Sequence, residues 1–239
     1  KFPYLGPVVP YELVTATTSV VLRWARRRRV MSTELCLHPD TPAADGALAA
    51  AGLEEERVET FLVDLAGRSE SELFAQLGGD ARTAIRRSAK RGVSIRAATA
   101  ADLRDVLPAA QNEALVVEDP YVEVLGDALA AGQVPFAARF ATAVVEDRPV
   151  GVSITLGEGH SAVGWLGAVR RADQHTQAHA ALVWDALTWA SAQGYAALDM
   201  CGAPDPGIAA YKRKFKPRVE TYLVGRWKAP GLAALRGLT

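Results

Sequence analysis

The chain has 239 residues with 27 Lys+Arg against 27 Asp+Glu, so its formal net charge is zero, and 49% of its residues are hydrophobic. That composition suits one large or two small globular domains, and it excludes a disordered chain or a uniformly basic nucleic-acid binder. Apolar runs fall short of the roughly 18 residues a membrane-spanning helix needs, and the two cysteines, Cys36 and Cys201, lie outside C-x-x-C spacing, so neither a disulfide framework nor a cysteine zinc site is expected.

The chain opens on Lys1-Phe2-Pro3-Tyr4, which reads as the interior of a domain with no signal peptide ahead of it. Residues 1–56 are read as a first unit. An extended entry over 4–9 leads through Pro10 into a helix reaching about Arg29. Leu13, Thr17, Val20, Val21 and Trp24 keep to one helical face, and Arg26–Arg29 sit in the last turn, where cations complement the helix dipole. A strand over 30–37 and a short helix over 45–53, stopped near Gly52, complete it.

Residues 57–239 form the second unit. The β-prone run 60–65 precedes Ser69-x-x-Glu72, a capping box that opens a helix broken at Gly78-Gly79. Asp80 is the expected cap of the next helix, 81–91, which Gly92 ends. A short strand over 93–96 and helices over 101–113 and 121–131 follow. The period then changes from 3.6 to 2: strands over 140–145, 149–156 and 161–169, joined by close turns, predict an antiparallel meander. The strongest helix spans 178–193, with Asp185, Thr188 and Ser191 as its polar stripe. Strand 195–200, a turn at 204–207, helix 208–215 and strand 219–227 close the chain.

Three antiparallel strands, an amphipathic helix, a strand, a short helix and a last strand predict an α+β arrangement on one mixed sheet. It resembles the GNAT acyltransferase fold. Specific strings sharpen the likeness: Phe61-Leu62-Val63-Asp64-Leu65; Arg82-x-x-Ile85-Arg86-Arg87-x-Ala89-Lys90-x-Gly92-Val93; Leu182-x-Trp184-x-Ala186-x-x-Trp189-Ala190; Leu198-Asp199-x-x-Gly202; and Tyr211-Lys212-x-x-Phe215. In this order they resemble the Fem family of aminoacyltransferases. The resemblance implies a complete C-terminal GNAT domain over 57–239, a partial N-terminal GNAT-like half over 1–56, and a chain that lacks the opening strands of a first domain.

Candidate site residues come from two basic strings. Arg82, Arg86 and Lys90 recur at i, i+4 and i+8, so one helix face could hold phosphate oxygens or be an ordinary solvated face. In Tyr211–Arg218, Tyr211 and Phe215 share a face, leaving Lys212, Lys214 and Lys216 toward solvent or a cleft; basic groups interleaved with aromatics suit an RNA end. The resemblance makes Lys212 the residue at the acyl-donor cleft and the catalytic candidate. Arg82, Arg86, Lys90, Asp199, Tyr211, Lys214 and Phe215 are the substrate-binding candidates. Asp199 could orient an amine or tie down a loop. The sequence departs from the family at Lys216, where glycine is usual.

Two absences point the same way. The segment Arg170–Ala178 before the main helix has no glycine to let backbone N–H groups approach a CoA pyrophosphate, and Asp173 would repel it. No Ser-His-Asp or Cys-His string supports a covalent acyl-enzyme, and His175 and His179 at i, i+4 lack a third metal ligand, so no metal is expected. The resemblance implies no cofactor, an aminoacyl-tRNA donor and a small peptide, nucleotide-linked or lipid-linked amine acceptor, in a cytoplasmic protein without stable membrane insertion. The expected reaction is amide formation on a peptidoglycan precursor or peptide natural product; an acyl-CoA-dependent N-acyltransferase and a non-catalytic RNA- or partner-binding module are the alternatives.

Overall fold

A computed structural model describes residues 11–38, 45–110, 137–203 and 205–229, with 124 and 127 as single positions between. The chain separates into two compact units, Lys1–Thr60 with Val219–Thr239, and Phe61–Arg218. The final strand, read above as the end of the second unit, groups with the first. The helix expected over 121–131 lies outside the described residues.

In the first unit, helix α1 (Val14–Arg27) turns Val14, Thr18, Leu22 and Ala25 inward against Leu35, Leu37, Leu48, Leu53 and Leu223. Strand β1 (Ser32–Cys36) pairs antiparallel with the last strand, β8 (Arg218–Lys228), in the register Ser32↔Lys228 to Cys36↔Val224. The short helix expected over 45–53 is reduced to a 3-10 turn at Ala49–Ala51. Glu55 caps that turn, accepting from the N–H groups of Gly46 and Leu48 at 2.7 and 2.8 Å. Strand β2 (Glu54–Asp64) starts six residues before the apolar run that announced it. Its charged leading half is held by ion pairs: Arg226 bridges Glu34 and Glu56.

The second unit is a sheet between helices. Strands β4 (Ala138–Val145), β5 (Arg148–Glu158) and β6 (Ser161–Val169) form the predicted antiparallel meander, and β3 (Ser94–Ala97) pairs antiparallel on the free edge of β4. β7 (Ala197–Asp199) adds parallel to β6 and antiparallel to the end of β2. Alternation along the strands sends Phe140, Val152 and Ile154 to one face, where helix α4 (Ala100–Ala109) covers them with Leu103, Val106 and Leu107. Ala141 and Ala143 point to the other, joined there by Val150 across the register shift at Ala143/Val144, under Ala178 and Leu182 of helix α5 (Ala178–Ala192).

Helix α2 (Glu70–Gln76) has the predicted Ser69/Glu72 capping box. Helix α3 (Gly79–Lys90) does not start as expected: Asp80 is in its first turn and Gly78 is the cap, with no side-chain bond. The reason is a close approach. The Gly78 N–H donates to the Lys214 carbonyl at 3.0 Å, and a Cβ at Gly78 would collide with that oxygen. Helix α4 carries a second capping box, Thr99 with Asp102. Asp102 is buried and takes Arg96 in a bidentate pair at 2.6 and 2.8 Å, with the Thr142 hydroxyl at 3.1 Å. Burial pushes its carboxyl up, but these donors outweigh burial and hold it at about 2.

Candidate active site

Parallel pairing between β6 and β7 ends at Val163↔Asp199, while β6 continues to Val169. Beyond that point the two strands part, and the backbone of Gly164–Val169 loses its β7 neighbour. Side chains from three elements gather at this opening: His179 from the first turn of α5, Cys201 from the chain leaving β7, and Tyr211 and Lys212 from helix α6 (Pro206–Arg213).

Helix α6 forms here because Asp205 caps it, its carboxylate accepting from the Ile208 N–H at 3.0 Å, with Pro206 at the first helical position. The cap sets its rotation, so Phe215 falls into the core at 1% exposure and Lys212 turns toward the strand end. Lys212 Nζ donates to the carbonyls of Met200, Cys201 and Gly202 at 2.5, 3.1 and 2.9 Å. An ammonium has three donors, so three carbonyls satisfy it completely. Burial holds it below the usual lysine range.

Asp199 is buried and accepts the Cys201 N–H at 2.7 Å, which supports the left-handed backbone of Cys201 (φ 63). Of the two roles read for Asp199, tying down the loop is the one seen. The Cys201 thiol donates to the Gly164 carbonyl at 3.5 Å. Burial, then Asp199, push it up to about 12 against the opposing Lys212 charge. A thiol so held is not a nucleophile at neutral pH.

Tyr211 sits edge-on to Phe215 (5.5 Å) and tilted against His179 (4.9 Å). Its hydroxyl is buried and has no hydrogen-bond partner among the described residues, and burial raises the phenol above its ordinary range. His179, considered above only as a metal ligand, belongs to this cluster. Its Nε2 lies where a Cβ at Gly167 would stand 3.0 Å away, so the missing side chain makes room for the ring. Burial, then the Lys212 charge, bring His179 down to about 4, so the imidazole is neutral. No spacing in the sequence links His179 to Tyr211; only the closure of α5 over the sheet does.

The other candidates lie apart from this cluster. Arg82 is turned back onto the end of α2, donating to the Ala75 carbonyl at 2.8 Å and to the Leu77 carbonyl. Arg86 is exposed, its guanidinium 5.0 Å over the Phe74 ring. Lys90 is exposed at the last turn of α3, and Lys214 is exposed at the end of α6, where its carbonyl receives Gly78. Thus one of three aligned cations serves local structure, and Phe215 fills the core rather than lining a cleft.

The segment before α5 is a 3-10 turn, Arg171–Thr176. Asp173 is buried there and held by Arg148 through two bonds of 2.8 and 2.7 Å, so its charge is matched rather than free to repel, as expected above. The Arg148 pair, ahead of the opposing burial, keeps the carboxyl below its ordinary range. Thr176 accepts the Ala178 N–H at 3.2 Å and Gln177 takes the left-handed conformation (φ 63). Where a pyrophosphate would need bare N–H groups and a glycine, this helix start has the Ala178 N–H already bonded to the Thr176 hydroxyl and a Cβ at the left-handed Gln177. The residues present do not fit that group.

A family model described as "Acetyltransferase (GNAT) domain" matches residues 78–213, more than half of the chain. The chain belongs to this GNAT family. Among solved structures it is similar to FemX at 13% identity, covering 93% of this chain and 81% of that one with a TM-score of 0.67. It is also similar to L-PGS from Bacillus licheniformis (15% identity, 95% and 77% coverage, TM-score 0.61). A tandem GNAT protein from the clavulanic acid biosynthesis pathway matches at 13% identity, 90% and 69% coverage and TM-score 0.58. No curated protein matches the chain by sequence. The GNAT fold and its Fem-like likeness agree with the α+β expectation, and an acyltransferase is the activity class that goes with them. Among the described residues no helix is long and apolar enough to cross a membrane.

Proposed function

We propose that this GNAT protein moves an amino acid from aminoacyl-tRNA to an amine of a small peptide, nucleotide-linked or lipid-linked acceptor, as in a peptidoglycan precursor or peptide natural product. One observation carries the reading: at the start of α5 the Ala178 N–H is already taken by Thr176 and the left-handed position is Gln177, with a Cβ, rather than glycine, so a CoA donor lacks the glycine-lined pyrophosphate seat. The fold likeness to FemX supports it.

In the proposed reaction the acceptor amine attacks the ester carbonyl. A C–N bond forms as the C–O bond to the tRNA ribose breaks, and the proton lost by the amine ends on the ribose oxygen. An aminoacyl ester is already activated, so positioning and carbonyl stabilisation suffice. Tyr211 stays protonated and offers a hydroxyl whose partner would be the ester or leaving oxygen. Lys212 supplies fixed positive charge at the strand opening while holding the loop at 200–202. Arg86, Lys90 and Lys214 are the exposed cations that would meet phosphates.

The test is incubation of the full chain with a charged, labelled tRNA pool and candidate amines, followed by mass spectrometry. Label should pass to an amine, and ribonuclease treatment should abolish transfer. Transfer that survives exhaustive ribonuclease and releases CoA would establish the acyl-CoA reaction instead.

A further inference from the structure

Helix α1 has two apolar faces, and the described residues cover only one of them. Val14, Thr18, Leu22 and Ala25 face the core of the first unit. On the opposite side, Val20 and Trp24 lie one helical turn apart, 54% and 58% exposed, and Leu13, two turns before Val20, is 50% exposed. Met31, just past the helix, is 50% exposed. An amphipathic helix spends its outer face on polar residues; this one carries a large aliphatic and aromatic stripe there.

Arginines frame that stripe. Arg27 continues it toward the C-terminus, Arg23 and Arg28 flank it, and Arg29 follows with a left-handed backbone (φ 55). No carboxylate among the described residues pairs with these four. Next to them is a shallow open cleft of about 420 Å³ whose lining includes Arg26, Arg29, Met31 and Trp227. Arg26 lies 5.4 Å over the Trp227 ring, so its cation is held in place beside an aromatic surface.

We infer that this face of the first unit docks on an anionic lipid bilayer. Leu13, Val20, Trp24 and Met31 enter the headgroup–acyl boundary, the arginines contact lipid phosphates, and a headgroup sits in the Arg26/Trp227 cleft. The chemistry selects this occupant. Long arginine stems lie along apolar surface while their heads reach phosphate, and tryptophan favours the membrane interface. A nucleic acid would use the arginines and Trp24 but has no use for a valine, a leucine and a methionine at the centre of the patch. A second copy would stack two arginine clusters against each other. This is surface binding, not insertion, and it is independent of the acyl-transfer reading.

The experiment is co-sedimentation of the full chain with vesicles of phosphatidylcholine alone or with roughly a quarter phosphatidylglycerol, at near-physiological salt. The chain should pellet only with the anionic vesicles. Val20→Ser/Trp24→Ser and, separately, Arg27→Gln/Arg28→Gln should each weaken partitioning by about tenfold or more; all four positions are exposed, so both variants stay folded, with melting temperatures lowered by no more than a few degrees. Emission from Trp24, isolated by difference from Trp24→Phe, should shift to the blue on binding. No pelleting would overturn the inference. So would binding that tRNA competes away and Val20→Ser/Trp24→Ser leaves intact, or a dimer that this apolar pair breaks without any vesicle binding.

Discussion

The Gly78 N–H and the Lys214 carbonyl meet at 3.0 Å, fastening the turn before α3 to the end of the helix that carries Tyr211 and Lys212. A methyl group at position 78 would meet backbone, which cannot swing away as a side chain can. Gly78→Ala should therefore cost about 2–3 kcal/mol of stability by overpacking, read as a lower midpoint in chemical denaturation. Ala at Gly79, which has open space around its Cβ position, is the control and should be near neutral.

The loop contacts of Lys212 and its proposed part in transfer can be tested separately. Removing its ammonium leaves the carbonyls of Met200, Cys201 and Gly202 without their donor, so Lys212→Ala should destabilise the chain by about 2–4 kcal/mol. Transfer by that variant, assayed well below its melting temperature, should still fall strongly if the fixed charge serves the reaction. Unimpaired transfer by folded Lys212→Ala would remove this side chain from the mechanism and leave it a loop clamp.

The buried, neutral His179 makes stability depend on pH. Its folded value of about 4 lies below the unfolded one near 6.5, so the unfolded chain binds the proton better between those values. Stability from this group is fully present above pH 6.5 and is lost as pH falls toward 4, by at most about 3 kcal/mol. Urea midpoints measured across that range should slope for the natural chain and flatten for His179→Gln.

Lys216 occupies the left-handed region at φ 50, its N–H donating to the Arg213 carbonyl at 3.0 Å. The turn where the family resemblance leads one to expect glycine thus forms with lysine, at a backbone cost of about 1–2 kcal/mol. Lys216→Gly should raise stability by about 0.5–1 kcal/mol, since the greater freedom of unfolded glycine offsets part of the relief. Differential scanning calorimetry would register this as a melting temperature a few degrees higher.

Most of the second unit was legible from local signals. The Ser69/Glu72 box, the meander with its tight turns, and the apolar 178–193 segment each reflect short-range chemistry that the fold keeps. The failures have a common cause. Glu54–Glu59 has no strand pattern, yet it is strand because β8 arrives from the other end of the chain to hydrogen-bond beside it, with Arg226 pairing with Glu56 across the two. Asp80 looked like a cap, and Gly78 took the position because α6 passes overhead.

The site divides in the same way. Residue types, order and the missing glycine before α5 are properties of the chain itself, and with the family resemblance they are what lead one to expect Tyr211, Lys212 and Asp199 at the site and a donor other than a cradled CoA. Which of them faces the opening could be settled only by packing. The same helical turn that aims Lys212 at three carbonyls drives Phe215 into the core. Closing α5 over the sheet brings His179, from another helix, against Tyr211. Arg82 looked equivalent to Arg86 and Lys90 by spacing, but the neighbouring helix end claimed its guanidinium. Periodicity assigns a side chain to a face; what that face meets depends on contacts between residues far apart in the chain.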